Sequence, residues 1–258
     1  MNRRMLEICC GDLQSVAAAI AGGADRVELC SGLAEGGLTP SAGFIRTAAD
    51  MAAGKIRVHV LIRPRGGDFC YDEADRAAIL ADIAECRLMG PGRVAGVVVG
   101  ALTPDGDVDL DFCRACVAEA GGMSLTFHRA FDLCRDRHRA LEQIAGLGFD
   151  RILTSGGAPT ALAGADTLRE LVGLAAGRII ILGASGVSAS NAAELLGRSA
   201  LTELHASARS PLQSAMRFRH EGVAMGAPDT DEYLRMVTDA AEVARLRAVI
   251  DGCARSDV

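Results

Sequence analysis

Eight short apolar runs punctuate the chain, and a longer segment of helical periodicity follows nearly every one. The first run starts at Leu6; the others cover residues 27–30, 57–62, 94–99, 124–129, 151–154, 178–182 and 202–205. The run 94–99 is continuously apolar, as a strand buried on both faces would be. Helices are predicted between the runs. Asp12 caps one that stops at Gly22 and Gly23, Thr39-Pro40 opens one that closes at Gly54, and one ends at Gly146. Others span 72–89, 109–120, 166–176 and 188–196, the last with Ser188 as its N-cap. Strands alternating with helices mean a parallel sheet, and eight regular units in about 206 residues fit an α/β fold of the (β/α)8 TIM-barrel type in a single domain better than an open doubly wound sheet. The barrel covers residues 6–206; a C-terminal loop and helix extend it over 207–251, with the helix from Asp231 to Ile250 and a loose tail from Gly252.

Side chains two apart on a strand share a face. The first two strands each carry Glu-x-Cys, so Glu7 lies beside Cys9 and Glu28 beside Cys30. Parallel pairing predicts two carboxylates in one layer and two thiols in the layer above. The same rule puts His59 with Arg63, Thr126 with His128, and Glu203 with His205 on one face of each strand. The other faces hold Leu6, Ile8, Val27, Leu29, Val58, Val60, Leu125 and Leu204, all apolar. The polar set therefore faces the barrel interior or its mouth, where barrel enzymes keep their chemistry. Arg129 and Asp132 follow strand five in the motif HRAFD. Each polar residue alone fits a structural network; together they predict a functional pocket.

Two glycine-bearing loops are candidate anion sites, because bare backbone amides favour phosphate or carboxylate. These are Ser155 and Gly156 after strand six, and Gly183, Ser185 and Gly186 in the GASG turn after strand seven. A tight βα turn is the structural alternative. A short echo, Gly-x-Asp-Arg at Gly23 and again at Gly148, sets strand two against strand six as a half-barrel duplication would.

Composition narrows the partners. The net charge of −6 and the scarcity of aromatic residues disfavour nucleic acid and anionic membrane surfaces. No run approaches the ~18 apolar residues of a spanning helix. The start MNRRMLEICC meets Glu7 before any apolar stretch, unlike a secretory signal. Nine cysteines, an odd count without a repeating framework, point to reduced thiols in the cytoplasm. Cys113-x-x-Cys116 lies in a predicted helix without a second pair and reads as incidental. Cys9 and Cys30 would suit a soft ion, Cu(I) above all, although both also fit as small buried residues. In the extension, Met216, Phe218 and Met225 predict packing on the barrel or on a second copy, as a homodimer or higher homo-oligomer.

The chain resembles the CutC family of copper homeostasis proteins through LEICC, GGADRVELCS, EGGLTPS, IRPRGGDFCY, GALTPDGDVD, TFHRAFD, DRILTSGG and ELHASAR. The resemblance runs from Leu6 to about Ile250. It implies a cytosolic, oligomeric TIM barrel linked to copper handling through a Cu(I) site, whose two cysteines match Cys9 and Cys30. Two functions are open at this point. One is Cu(I) binding at that pair. The other is a metal-independent lyase or isomerase acting on a small phosphorylated or carboxylated metabolite. In it Arg63 and Arg129 hold the anion, and Glu7, Glu28, His59, His128 or His205 serve as acid and base, with Asp132 beside them.

Overall fold

The computed structural model describes residues 3–220, 222, 223, 225 and 231–255. In chain order the barrel strands are β1 (Met5–Cys10), β2 (Arg26–Leu29), β3 (Arg57–Leu61), β4 (Gly96–Val99), β5 (Ser124–Phe127), β6 (Arg151–Thr154), β7 (Ile180–Gly183) and β8 (Glu203–Ala206). All eight run parallel and close into a barrel, β8 pairing with β1. The helices between them are α1 (Leu13–Ala21), α2 (Ala42–Ala52), α3 (Glu73–Leu88), α4 (Leu110–Ala120), α5 (Arg137–Leu147), α6 (Ala165–Ala175) and α7 (Ala192–Ser199). The predicted TIM barrel is the observed fold.

Local chemistry sets the helix starts. Asp12, Ser41, Asp72, Asp109 and Asp136 each accept a backbone N–H from three residues on, satisfying a donor that the helix leaves unpaired. Helix α2 thus starts behind Ser41, one turn-residue past Thr39-Pro40. Helix α7 starts behind Asn191 rather than Ser188, because Ser188 spends its amide on the Asn191 side chain in a turn before the helix.

The apolar strand faces predicted above all join the large core between strands and helices. A separate small cluster of Cys9, Cys30, Leu61 and Val98 fills the barrel interior near its mouth. Burial of such aliphatic side chains, at roughly 25 cal/mol per Å2 of apolar surface, is the main force closing the barrel.

The echo at Gly23 and Gly148 has structural content. Both glycines take positive φ, +82° and +90°, where the chain leaves a helix for a strand. Asp25 Oδ2 then accepts from Leu6 N at 2.8 Å, and Asp150 Oδ2 accepts from Leu125 N at 2.8 Å, each carboxylate tying down the start of the preceding strand.

Three expectations need correction. The 124–129 run is strand only to Phe127; His128 caps a 3-10 turn (Arg129–Leu133) by accepting Ala130 N at Nδ1. Residues 231–250 are not one helix. Strand β9 (Arg209–Gln213) pairs antiparallel with β10 (Leu234–Thr238), and only then does α8 (Ala240–Arg255) begin. The pairing is nonlocal, so helical periodicity in 231–239 could not reveal it. Helix α8 runs through Gly252, and packs between α7 and α1 as the eighth helix of the ring. Its Arg247 reaches Asp25 at 2.8 Å. Residues 221, 224 and 226–230 of the extension lie outside the described residues.

Candidate functional site

Register decides the layout of the interior. Cys9 pairs with Glu28 and Glu7 with Arg26, so the carboxylates of β1 and β2 are not level, nor are the thiols. A closed barrel staggers neighbouring strands, and here the stagger is two residues from the simple alignment. The thiols nonetheless meet diagonally: Cys9 Sγ and Cys30 Sγ are 3.1 Å apart.

Below them lies an ion-pair floor. Arg26 donates through Nε to Glu7 and through Nη2 to Glu203 Oε2 at 2.6 Å; Arg151 Nε donates to the same Glu203 oxygen at 2.9 Å. Arg26 is 1% exposed. A guanidinium so far from water is tolerable only because two carboxylates share it. Arg26 escapes a reading that starts the strand at Val27, yet the rule used for Glu28 and Cys30 also puts Arg26 on their face. Arg151 is the second copy of the same Asp-Arg motif.

Glu7 also receives His205, whose Nδ1 is 2.7 Å from Glu7 Oε1, while Nε2 is 3.8 Å from Glu28 Oε2. Burial works against a charged ring at His205, but its hydrogen bond to Cys9 and the carboxylates of Glu28 and Glu7 push its pKa well above the usual histidine range. Burial alone would raise Glu7; the Arg26 guanidinium and the His205 ring hold it well below the usual carboxylate range. Burial pushes Glu28 up to about 7, with His205 pulling the other way. The Cys9 thiol is pushed well above its ordinary value by its hydrogen bond with Cys30 and by burial. His59, against Gly96 deep in the interior, is held down to about 3 by burial, which outweighs the opposite pull of Glu7.

The upper wall is built around Arg63. Its Nη1 donates to the carbonyls of Glu35 (2.8 Å) and Gly37 (3.0 Å) and its Nη2 to that of Gly67 (2.7 Å). These bonds tie the loops after β2 and β3 together. The Arg63 guanidinium lies 4.9 Å from the Phe69 ring, whose other neighbour is His128 at 4.7 Å between centroids. Burial and then Arg63 hold His128 down to about 3, a neutral ring. Its Nε2 and Arg63 Nε are both buried without a partner.

Asp132 organises the opposite wall. Its carboxylate accepts from Thr154 Oγ1 (2.5 Å), Ser155 N (3.1 Å), Gly157 N (3.0 Å) and Arg129 Nε (2.7 Å). Arg129 Nη2 also donates to Ser155 Oγ at 3.2 Å, and Gly156 N donates to Thr154 Oγ1 at 2.9 Å. The amides of Ser155 and Gly156 are thus engaged within the protein, and an internal carboxylate occupies the loop read as an anion site. Gly183 belongs to β7, and a Cβ there would point at Leu201 rather than into the mouth. Ser185 and Gly186 do reach the mouth, both at positive φ, +81° and +69°.

A cavity of about 310 Å3 opens at the carboxyl ends of the strands. It brings together Cys9, Glu28, Arg63, His128, Arg129, Ser185, Gly186 and His205, with Leu33, Leu61, Phe69 and Val187 as apolar wall. Glu7, His59, Cys30, Asp132, Ser155, Gly156 and Gly183 stand behind this lining. Arg209, the first residue of β9, also lines it and is invisible to a reading confined to the eight barrel strands. Two donor groups have ligand atoms within 4.8 Å of one another: Cys9, Glu28 and Cys30, and Glu7, Glu28 and His205. Among the described residues, no helix is long and apolar enough to cross a membrane.

The family model described as the CutC family matches residues 4–210. Family protein CutC of Bacteroides thetaiotaomicron is 47% identical over 244 residues, covering 94% of this chain and 96% of its own length. The human copper homeostasis protein cutC homolog is 43% identical over 249 residues, 96% of this chain and 89% of its own. The crystal structure of CutC from Streptococcus agalactiae superposes with a TM-score of 0.75 at 31% identity, covering 79% of this chain and 98% of that one. With the family model extending over all eight barrel strands, the chain belongs to the CutC family.

Proposed function

We propose that this protein serves copper homeostasis by holding Cu(I) between the thiolates of Cys9 and Cys30. The observation that carries the reading is the 3.1 Å approach of the two sulfurs at the base of the cavity. Soft thiolates select Cu(I), and a pair of them meets the low coordination number that this ion accepts, whereas a closed zinc site takes four ligands. Glu28, within 4.8 Å of both, is a hard donor and a weaker match. Metal binding must displace the thiol protons, so affinity rises with pH. Human and mouse relatives are named copper homeostasis proteins, which supports the same reading. Titration of the reduced protein with Cu(I) against a competing chelator tests it: the Cys9→Ser and Cys30→Ser variants lose the site.

A second reading rests on a different observation, the juxtaposition of Glu28 and His205, 3.8 Å apart, in a cavity also lined by Arg63 and Arg129. In it the cavity is the active site of a metal-independent lyase or isomerase for a small phosphorylated or carboxylated metabolite. Glu28 and His205 exchange protons with the substrate, Glu7 orients His205, and Arg63 and Arg129 hold the anion with the amides of Ser185 and Gly186. His128 lines the pocket as a neutral ring, while His59 and Asp132 act through their neighbours. A thermal-shift screen of such metabolites against wild type and Glu28→Gln tests it; stabilisation by no compound would remove its support. Either role fits a cytoplasmic homo-oligomer, with nine free cysteines and exposed Met216, Phe218, Met225 and Met236 on the extension.

A further inference from the structure

The cavity joins two features that oppose each other if the cargo arrives as a bare cation. Cys9 lies at its base, and three arginines, Arg63, Arg129 and Arg209, line it above. Arg129 is neutralised by Asp132. Arg63, 6% exposed, donates to three backbone carbonyls, lies against the Phe69 ring, keeps an unpartnered Nε, and has no carboxylate partner among the described residues; nor does Arg209. Two uncompensated guanidinium charges at the entrance repel a free metal ion and attract an anion. Guanidinium forks are also the side chains best shaped for carboxylates.

We propose that Cu(I) enters as the anionic complex it forms with two low-molecular-weight thiolates that carry carboxylates. Arg63 and Arg209, with Arg129 beside them, hold those carboxylates while the metal passes to Cys9 and Cys30. The inference rests on the copper reading above. A cavity of about 310 Å3 has room for a small thiol above the cysteine pair, and the apolar wall of Leu33, Leu61 and Phe69 suits its carbon skeleton. The exchange balances without redox chemistry. Cys9, which lines the cavity, attacks first and Cys30 behind it second. Two copper–sulfur bonds to the incoming thiolates break and two to the protein form. The protons of the two cysteine thiols leave on the displaced thiolates, and copper remains Cu(I). One negative charge stays on the copper–dithiolate site, and the carboxylate charges leave with the displaced thiols.

The test measures anaerobic transfer of Cu(I) to the reduced protein from its bis-thiolate complexes with glutathione, 2-mercaptoethanol and cysteamine, which are strongly anionic, weakly anionic and cationic carriers. Transfer from the glutathione complex is expected to be about ten-fold or more faster than from cysteamine at low salt, and the advantage shrinks as ionic strength rises. In Arg209→Glu the ratio between the two carriers falls toward one or inverts. Arg209 has no ion pair to lose among the described residues, so the variant does not hinge on refolding the mouth. Equal rates from all three carriers, or a ratio unchanged in Arg209→Glu, overturn the inference while the copper site stands. No Cu(I) uptake by wild type from any carrier or from a chelator-buffered solution overturns both.

Discussion

Cys9 and Cys30 approach to 3.1 Å across two strands whose register sets Cys9 opposite Glu28 instead. The contact is diagonal; Glu28, level with Cys9, has a ligand atom within 4.8 Å of both sulfurs, and His205 hydrogen-bonds to Cys9.

Glu203 carries two arginines on one oxygen. Glu203→Ala leaves Arg26 with Glu7 alone and Arg151 without its carboxylate partner, both deep in the barrel. Removal of one partner from a buried charge network costs about 3–5 kcal/mol. Chemical denaturation of the variant should read a loss of that size. A loss below about 1 kcal/mol would mean that water reaches the floor and replaces the carboxylate.

Gly96 faces the His59 ring. A Cβ there would lie 2.5 Å from the Ser124 carbonyl oxygen and 2.8 Å from His59 Nε2. Backbone cannot yield cheaply, so Gly96→Ala should destabilise by about 1–3 kcal/mol through overpacking. Wild-type stability in this variant would show that β4 and β5 stand further apart than described.

His59 and His128 are buried neutral, with pKa values of about 3, against an ordinary value of 6.5. Glu28 is raised to about 7 from 4.5. Between pH 4.5 and 6.5 the unfolded chain binds two protons, at the two histidines, that the folded chain does not, and the folded chain binds one at Glu28 that the unfolded chain does not. The difference is 2 − 1 = 1 proton in favour of the unfolded state, so stability falls as pH falls through this window, by about 1.4 kcal/mol per unit from these groups. In His128→Gln the difference becomes 1 − 1 = 0. Unfolding free energies measured across the window should therefore be flatter in the variant by about 1.4 kcal/mol per pH unit. Identical slopes would mean that His128 titrates normally in the folded protein.

Asp132 fills the loop after β6 with its own carboxylate. Asp132→Ala leaves the amides of Ser155 and Gly157 and the Thr154 hydroxyl without their acceptor, and frees Arg129. A loss of about 2 kcal/mol in denaturation, with faster amide exchange at residues 154–157, is expected. Unchanged exchange there would show that the loop holds its shape without the carboxylate.

The barrel and the site's inventory were legible because both depend on period-two alternation. Apolar outward faces such as Ile8 and Val27 could be told from the polar inward faces by sequence alone. Register was not legible, since the stagger of a closed sheet depends on all eight strands together; that is why Glu7 pairs with Arg26 and not with Glu28. Arg26 and Arg151 obey the same alternation, because each follows the Asp of the repeated Gly-x-Asp-Arg and stands two residues before an inward-facing position of its strand. Asp132's occupation of the Ser155 loop and Arg209's place at the mouth come from contacts between distant segments, which no local pattern encodes.

Copper binding at the cysteine pair is measured most directly by competition titrations of the reduced protein with Cu(I) at a series of pH values. One Cu(I) per chain is expected in wild type, with about 100-fold or more weaker binding in Cys9→Ser and in Cys30→Ser, and affinity that rises with pH as the thiol protons are released. Equal stoichiometry and affinity in the wild type and both serine variants would contradict it.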